Sequence, residues 1–265
     1  MVRVACCQID PAIGDLAANA ALIEAQIRHA VGAGADVIVL PELATCGYMF
    51  VDADEARAAA LPARDAAFAK WSAAAGDSIV IGGFCERGED NRLYNSAVMV
   101  DASGVIATYR KTHLWDREKV IFTPGDALPQ VVKTKHGAIA VMVCYDLEFS
   151  ELTRRVALDQ AELITAPVNW PLFPRPEGER PGEVITAMST ARTNKVAVAC
   201  CDRAGVERGQ PWTEGSAIID PDGWVVASAG PGSTMAIADV DLAATHDKKL
   251  TELVDLLADR RIDLY

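Results

Sequence analysis

Histidine is scarce in this sequence, and its cysteines are not spaced as metal ligands usually are. Four histidines occur in 265 residues, and no two cysteines form a C-x-x-C pair. The spacing therefore predicts no zinc site or other metal centre. Seven is an odd count of cysteines, which argues against a disulfide framework. Four of them fall in apolar, strand-like runs and are interpreted as small core residues: Cys6, Cys7, Cys200 and Cys201.

The chain also lacks a run of basic residues and a long run of apolar ones. It carries 25 basic and 37 acidic side chains, which gives a net charge of −12. Phosphate backbones and anionic lipid surfaces repel such a chain, so neither nucleic acid nor a membrane is an expected partner. No stretch approaches the roughly 18 apolar residues of a membrane span, and residues 1–10 do not resemble a secretory signal. We therefore expect a soluble, cytoplasmic protein.

Short apolar runs alternate with segments of helical period along the chain. Apolar, strand-like runs occur at residues 2–9, 36–40, 78–84, 137–143, 162–167 and 195–201. Helical spacing occurs at residues 16–31, 64–75, 149–157 and 184–191, and turn sequences at 101–104 and 221–223 indicate two hairpins. The pattern predicts a mixed α/β protein with helices layered on its sheets. We expect one domain over residues 1–265, with a C-terminal helical tail over 241–265.

Three chemically reactive side chains follow the ends of predicted strands. Glu42 comes just after the run at 36–40, Lys111 follows the second strand of the first hairpin, and Cys144 follows the run at 137–143. Sites in open α/β sheets gather at the carboxyl ends of strands, so the three side chains could converge. Taken singly, each has a more ordinary interpretation as surface charge or inert packing. The prediction of a site therefore depends on their combination.

The segment around Cys144 has the order of strand, sharp turn and helix that lifts a nucleophile off the edge of a sheet. The positive end of the following helix would favour a thiolate. A free thiol has a pKa of ~8.5 and is mostly protonated at neutral pH, so it needs activation. The backbone N–H groups after the cysteine, beginning with that of Tyr145, could receive an oxyanion.

The four histidines offer Cys144 no convincing base. Those at positions 29 and 246 are expected at the surface, and position 136 is at the opposite end of the strand that carries the cysteine. His113 stays open, because it follows the candidate lysine by two residues. A carboxylate is the better candidate, and Glu42 is placed for the role. Burial beside a thiol would raise the pKa of this glutamate and suit it to moving a proton near neutrality.

Three segments match a known family in order and spacing. VIVLPEL (37–43) looks like its glutamate motif, YRKTHLWDREKVIFTPGD (109–126) like its lysine motif, and VMVCYDLEFSELTR (141–154) like its cysteine motif. EGSAIIDPDG (214–223) is similar to its late hairpin. Over nearly the whole chain, the sequence resembles the nitrilase superfamily of carbon–nitrogen hydrolases, in particular its amidase-like branch.

The resemblance implies a catalytic triad of Glu42, Lys111 and Cys144. It also implies a four-layer α-β-β-α sandwich that forms a homodimer or a higher homo-oligomer. Many members of the family carry a second glutamate in the lysine motif, and Glu118 matches it. We expect this residue to orient the lysine or the substrate amide, although it also belongs to an ordinary run of charged residues.

The expected activity is that of an amidase that forms a cysteine thioester and needs no cofactor. Its expected substrates are small aliphatic amides or the ω-amide of a small dicarboxylic acid. Three loop residues, Tyr48, Asn169 and Trp170, are candidates with Tyr145 for substrate binding, and a structural role would fit each loop residue equally well. The alternatives are a nitrilase or an N-carbamoyl amidohydrolase with the same triad, a non-catalytic binding scaffold, and a redox protein that pairs Cys46 with the nucleophile.

Overall fold

The structure is a computed structural model, and it describes residues 1–264. The first half of the chain supplies these elements: β1 (Val2–Gln8), α1 (Leu16–Gly32), β2 (Val37–Val39), α2 (Ala53–Ala58), α3 (Ala66–Ala75), β3 (Ile79–Arg87), β4 (Leu93–Asp101), β5 (Gly104–Arg110) and α4 (Glu118–Ile121). Among these four helices, α1 and α3 are the longer two, and each is preceded by an aspartate that caps it. The side chain of Asp15 accepts from the backbone N of Ala18 at 3.0 Å, and that of Asp65 accepts from Ala67 at 2.9 Å. Each such cap stabilises its helix by about 1 kcal/mol.

The second half repeats the alternation of strands and helices. It supplies β6 (Val131–Thr134), β7 (Gly137–Val141), α5 (Ser150–Leu158), β8 (Leu163–Pro167), α6 (Gly182–Asn194), β9 (Ala197–Cys201), β10 (Val206–Glu207), β11 (Gln210–Pro211), β12 (Ala217–Ile219), β13 (Val225–Ser228), β14 (Thr234–Val240), β15 (Lys249–Thr251) and β16 (Val254–Asp255). Two 3₁₀ turns, Cys144–Glu148 and Leu242–His246, add to these elements.

The strands form two six-stranded sheets of similar design. Their orders are β14-β1-β2-β3-β4-β5 and β13-β12-β9-β8-β7-β6. Three neighbouring strands are parallel in each sheet, β1 to β3 in the first and β7 to β9 in the second. Because β3 to β4 and β4 to β5 are both antiparallel steps, β5 runs in the same direction as β3. The carboxyl ends of β2 and β5 therefore lie at the same edge of the first sheet.

The two sheets pack face to face between two layers of helices. Along β1, Val4 and Cys6 belong to the core between the sheets, whereas Ala5 and Cys7 belong to the core beneath α1 and α3. Successive side chains of a strand point to opposite faces, so this sheet is covered on both sides. Helices α5 and α6 cover the outer face of the second sheet through buried apolar side chains such as Val184. The predicted α-β-β-α architecture is confirmed.

The end of the chain differs from the predicted helical tail. After Asp241 there is only the 3₁₀ turn, and the chain then forms the two-stranded ribbon of β15 and β16 followed by turns. An isolated helix is marginal in water unless an apolar face packs on a partner. Leu253 and Ile262 in this segment are 88% and 72% exposed, so no such face is buried here.

None of the helices described in residues 1–264 is both long enough and apolar enough to span a bilayer.

Candidate active site

The three strand ends that the sequence singled out converge on one buried cluster of charges. The Nζ atom of Lys111 donates to Oε1 of Glu42 and to Oε1 of Glu118, each at 2.7 Å. The lysine and Glu42 are fully buried, and Glu118 is 3% exposed. An ammonium has three N–H groups, and among the described residues only these two acceptors engage them. One donor of the lysine therefore has no acceptor among the described residues.

Glu42 is held by its backbone as well as by its carboxylate. The Oε1 atom accepts from Nδ2 of Asn95 at 2.7 Å, while Oε2 is buried without a protein partner. Behind the backbone lies Gly83, where a methyl group would come within 2.2 Å of the amide nitrogen of Leu43. Only glycine leaves enough space for the chain that presents Glu42, which then turns through Leu43 at φ 49°.

Glu118 braces the lysine from the other side. Its Oε1 also accepts from the hydroxyl of Tyr48 at 2.6 Å, and its Oε2 accepts from the backbone N of Trp115 at 3.1 Å. Both oxygens thus have donors, unlike those of Glu42. Glu118 is therefore fully engaged by protein donors, whereas Glu42 keeps one oxygen free of them.

Cys144 begins a 3₁₀ turn in a strained conformation. Its φ is +47°, a value that residues with a side chain rarely adopt, and its side chain reaches a cavity although the residue is only 7% exposed. Strained backbone of this kind persists only where surrounding contacts hold it. The strand-to-turn geometry expected from the sequence is present, with a 3₁₀ turn before α5.

Asp146 supplies much of that restraint, and the sequence reasoning did not single it out. Its buried carboxylate accepts from the backbone N of Val143 at 3.2 Å and from the hydroxyl of Tyr109 at 2.9 Å. It also accepts from Oγ1 of Thr112 at 2.9 Å and lies 2.8 Å from Nδ1 of His113. Asp146 therefore ties the turn of the cysteine to the segment that carries Lys111. Its place two residues after the cysteine in the matched motif was the available signal.

The electrostatics of the cluster favour a neutral thiol beside a proton acceptor. Burial, followed by the nearby charge of Glu42, raises the pKa of Cys144 well above its usual value, and Lys111 only partly offsets this effect. The expectation that a helix end would favour the thiolate is therefore not met, because desolvation dominates. Burial also raises the pKa of Glu42 to about 7, against the opposing charge of Lys111. Burial lowers the pKa of Lys111, but Glu118 and Glu42 more than compensate and raise it overall.

A cavity of about 310 Å³ opens beside Cys144. Nine residues line it: Trp115, Cys144, Tyr145, Glu148, Asn169, Trp170, Pro171, Phe173 and Glu183. Its volume is at the small end of the range for ligand pockets. Three of the four predicted substrate-binding residues therefore lie in its wall, whereas Tyr48 is absent from that set and contacts Glu118 instead.

Asn169 links the cavity to the charge cluster. Its Nδ2 donates to the backbone O of Glu42 at 2.8 Å, while its Oδ1 is buried without a protein partner. Because the bond from Nδ2 to the backbone O fixes the orientation of the side-chain amide, the unpartnered atom is the oxygen, which can only accept a hydrogen bond. The backbone of Asn169 also opposes the rise of the pKa of Cys144.

The loop that carries Trp170 is fixed by a buried carboxylate. The Oδ1 of Asp202 accepts from the backbone N of Trp170 at 3.0 Å, and its Oδ2 accepts from Gly215 at 2.9 Å. Burial raises the pKa of Asp202 to about 7 in spite of these donors. No sequence pattern identified this residue, because its partners are distant in the chain.

Two histidines, His136 and His113, and the six other cysteines lie outside the wall of the cavity beside Cys144. His136 bonds to the backbone O of Asp77 at the far end of the cysteine's strand, as expected, and His113 bonds to Asp146. All seven cysteines are free, and Cys46 and Cys144 belong to different hydrophobic clusters. Within residues 1–264, no group of three or more His, Cys, Asp or Glu side chains is arranged to hold a metal ion.

The sequence model of the family described as "Carbon-nitrogen hydrolase" matches residues 3–249. The chain belongs to this family. A protein named "Nitrilase" from Pyrococcus abyssi is 34% identical to this carbon–nitrogen hydrolase over 271 residues, which cover 100% of the chain and 99% of the relative. Human "Deaminated glutathione amidase" is 34% identical over 201 residues, which cover 70% of the chain but 59% of that protein.

Solved structures of an amidase share the fold of this carbon–nitrogen hydrolase. The amidase of Nesterenkonia sp. AN1 superposes with a TM-score of 0.82 at 25% identity, covering 100% of this chain and 98% of the other. A mutant of that amidase carries the acetamide moiety of fluoroacetamide, added covalently at its active-site cysteine. It superposes with a TM-score of 0.81 at 26% identity, covering 99% and 95% of the two chains. The protein is therefore a hydrolase of carbon–nitrogen bonds other than peptide bonds.

Proposed function

We propose that the protein is an amidase that converts small aliphatic amides to carboxylate and ammonia through a thioester on Cys144. One observation carries this proposal. Cys144 borders a cavity and interacts electrostatically with Glu42, whose Oε2 is buried without a partner and whose pKa is raised by burial to about 7. Such a glutamate can both take a proton and return it at neutral pH.

The first step forms the thioester. Glu42 takes the thiol proton as the sulfur of Cys144 attacks the carbonyl carbon of the amide, and the carbonyl oxygen becomes an oxyanion. The remaining N–H of Lys111 and the backbone N–H of Tyr145 stabilise this charge. Tyr145 is the second residue of the 3₁₀ turn, where backbone N–H groups have no partner within the helix.

Collapse of the tetrahedral intermediate breaks the carbon–nitrogen bond. The protonated Glu42 gives its proton to the departing nitrogen, which leaves as ammonia. Asn169 accepts a hydrogen bond from the amide N–H₂ through its unpartnered Oδ1 and so turns the leaving group toward the glutamate. Water, deprotonated by Glu42, then attacks the thioester, and the released thiolate recovers the proton.

Glu118 and Tyr48 act in this scheme as positioning residues. The carboxylate of Glu118 receives Lys111, the hydroxyl of Tyr48 and a backbone N–H, so it has little capacity left for a substrate. A fixed lysine costs no reorganisation when the oxyanion forms. This arrangement replaces the direct substrate contact that the sequence suggested for Tyr48.

Nitrile hydrolysis is a second candidate, because the Pyrococcus abyssi relative that matches along its whole length is named a nitrilase. N-carbamoyl amino acids are a third substrate class open to the same residues. The unpartnered Asn169 Oδ1 favours an amide, since it needs an N–H donor and a nitrile has none. Among amides, the described cavity wall favours aliphatic amides over ω-amides of dicarboxylic acids, because none of its nine residues is an arginine or lysine.

The test is ammonia release from a panel of amides, nitriles and N-carbamoyl amino acids, with intact-protein mass spectrometry during turnover. We expect turnover of small amides and an acyl adduct on Cys144. Cys144→Ala should abolish both, while Cys46→Ala, which removes a buried thiol outside the cavity, should retain both. Full turnover by Cys144→Ala would refute the covalent mechanism, and turnover confined to nitriles or carbamoyl compounds would refute the amidase assignment.

We also propose a cytoplasmic homodimer. Free thiols at all seven cysteines fit a reducing compartment. Trp224 and Ile185 are 67% and 49% exposed and line one surface depression beside α6, which a second copy could cover. Light scattering coupled to size exclusion measures the state directly. A Trp224→Lys variant that leaves a dimer intact would exclude this surface as the interface.

A further inference from the structure

Two carboxylates reach the candidate active-site cavity from separate elements. Glu148 ends the 3₁₀ turn that begins at Cys144, and Glu183 lies in the first turn of α6. Both line the cavity, and Thr186 donates to Oε2 of Glu148 at 3.4 Å. Burial raises the pKa of Glu148; the hydrogen bond from Thr186 opposes this rise, and the charge of Glu183 adds to it. The two carboxylates therefore share one cavity wall, where a cation would be attracted to both.

The rest of the wall suits a cation as well. Trp115 packs edge to face against Tyr145 with ring centroids 4.9 Å apart, and the ring centroids of Trp115 and Phe173 are 6.5 Å apart. All three rings line the cavity. Aromatic faces attract ammonium groups, most strongly where water is partly excluded. Aromatic rings beside two carboxylates thus form a surface that attracts positive charge and repels negative charge.

The reacting end of a substrate is fixed independently of these groups. Asn169 lines the same cavity, and its buried Oδ1 has no protein donor, so it needs an N–H group. Cys144 and Tyr145 line the same cavity. An amide group bound there places its acyl chain in the remaining space, where the carboxylates and aromatic rings stand. The cavity of about 310 Å³ limits that chain to a few carbon atoms.

We propose that the enzyme is selective for small amides whose far end carries a positive charge, the ω-amino amides, with Glu148 and Glu183 as the residues that select them. This inference rests on the proposed amidase function. It disfavours the ω-amides of dicarboxylic acids that the sequence had suggested, because their free carboxylate would face two like charges in a cavity with no basic residue in its described wall. The order of preference is cationic, then neutral, then anionic amide.

The experiment compares kcat/KM for three amides of matched length: γ-aminobutyramide, which is cationic, valeramide, which is neutral, and glutaramate, which is anionic. We expect γ-aminobutyramide to exceed valeramide by roughly tenfold, as two partly exposed ion pairs would give. Glutaramate should fall below valeramide by a similar factor. High salt should reduce both differences, since it screens exposed charges.

Substitution of the two carboxylates tests the assignment of residues. In the double variant Glu148→Gln, Glu183→Gln, the ratio of kcat/KM for the cationic and neutral amides should fall to about twofold or less, with each single variant between. Glu151→Gln is the matched control, because this exposed glutamate lies outside the cavity wall and should keep the wild-type ratio. Thermal melting of each variant checks that the fold is retained.

Binding to an inactive variant separates recognition from chemistry. Calorimetry with Cys144→Ala should show tighter binding of γ-aminobutyramide than of valeramide, and weaker binding of glutaramate. If valeramide is turned over but the wild-type enzyme does not prefer the cationic amide, the charge selectivity is refuted and the amidase function stands. The same conclusion follows if the double variant keeps the wild-type ratio. If no amide is turned over, both proposals fail.

Discussion

Two clusters of charge, each centred on a buried basic side chain, differ in how fully their charged groups are paired. In one, Arg203 donates to Glu207 at 2.6 Å and to Asp10 at 2.8 Å, and its guanidinium lies 5.0 Å from the ring centre of Trp212. The other is the Glu42–Lys111–Glu118 cluster, which keeps a carboxylate oxygen and a lysine N–H without protein partners.

The difference separates a structural network from a reactive one. The second oxygen of Glu207 accepts from the backbone N of Tyr48 at 2.8 Å and of Met49 at 2.6 Å, so every oxygen of that carboxylate is used. A buried network whose charged groups are all paired holds one geometry. A network with one oxygen and one donor left over can exchange a proton and hold an oxyanion, at a cost in stability that other contacts must offset.

The largest expected effect follows from replacing the carboxylate of Glu42, with its unpartnered basic oxygen, by a neutral amide. Glu42→Gln should lower kcat by about 10²–10⁴-fold, because an amide cannot act as the base. Ammonia release under saturating substrate measures it. A variant with more than a tenth of wild-type kcat would show that another group takes the proton.

The same variant should not be less stable. The pKa of Glu42 is raised to about 7 in the fold, so its favourable contribution is present in full below its unfolded value near 4.5 and is lost as the pH rises through 7. At pH 8 the ionised carboxylate destabilises the fold, and Gln removes that charge. Urea denaturation at pH 5 and pH 8 should therefore show the relative stability of Glu42→Gln increasing with pH.

The next largest effect is expected at Arg203, in the cluster whose charged groups are paired. Arg203→Met should lower the free energy of unfolding by about 3–5 kcal/mol, because it leaves Glu207 buried without its charged partner. Arg208→Met is the control: it breaks a partly exposed pair with Glu55 and should cost less than about 1 kcal/mol. Equal losses in the two variants would mean that the buried network contributes no more than a surface ion pair.

The pH profile of kcat/KM should show which buried carboxylate, Glu42 or Asp202, limits activity at low pH. Activity should fall about tenfold per pH unit below 7, since Glu42 must be ionised to accept the thiol proton. Asp202, in the loop network, has a pKa raised to the same region, so its titration could produce a similar limb. Asp202→Asn should keep the limb. Its disappearance in that variant would assign the limb to the loop instead of the base.

The smallest expected effect is at the residue that joins the two clusters. Tyr48 contacts Glu207 through its backbone and Glu118 through its hydroxyl. Tyr48→Phe should lower kcat by roughly fivefold through loss of one hydrogen bond to a charged group, with KM unchanged. Tyr94→Phe, which loses a bond to Asp90, should leave kcat unaltered. A rise in KM with constant kcat would instead support the direct substrate contact suggested by the sequence.

The sequence predicted features that depend on local pattern. Strands read from apolar runs placed Glu42, Lys111 and Cys144 at strand ends. The order of steps in the first sheet brings Glu42 and Lys111 together, and the packing of the second sheet on the first brings Cys144 within reach of their charges. The sequence could not predict contacts between segments far apart in the chain, such as Arg203 with Asp10, 193 residues away. The sequence also overestimated how far the helix after Cys144 would lower the pKa of its thiol. Burial raises that pKa, and burial depends on the tertiary fold.

The C-terminal tail is another segment whose structure depends on tertiary contacts that the sequence does not show. Its leucines are compatible with a helix, but a short helix needs a partner surface, and the described residues form a small β-ribbon instead. Gly83 is a second example, because nothing nearby in the sequence shows that the backbone of Leu43 lies 2.2 Å from where a methyl group would be.

Cys144 differs from the other thiols in a way that is useful for chemical labelling. The chain has seven free cysteines, and the other six are 0% exposed. Cys144 alone among these seven lines the 310 Å³ cavity, which admits small molecules and is bordered by carboxylates. A compact, uncharged electrophile should therefore modify a single position of the native protein, whereas a bulky or anionic thiol reagent should modify none. An activity-based probe built on a small haloacetamide would thus report the competent fraction of a sample without any cysteine having to be removed.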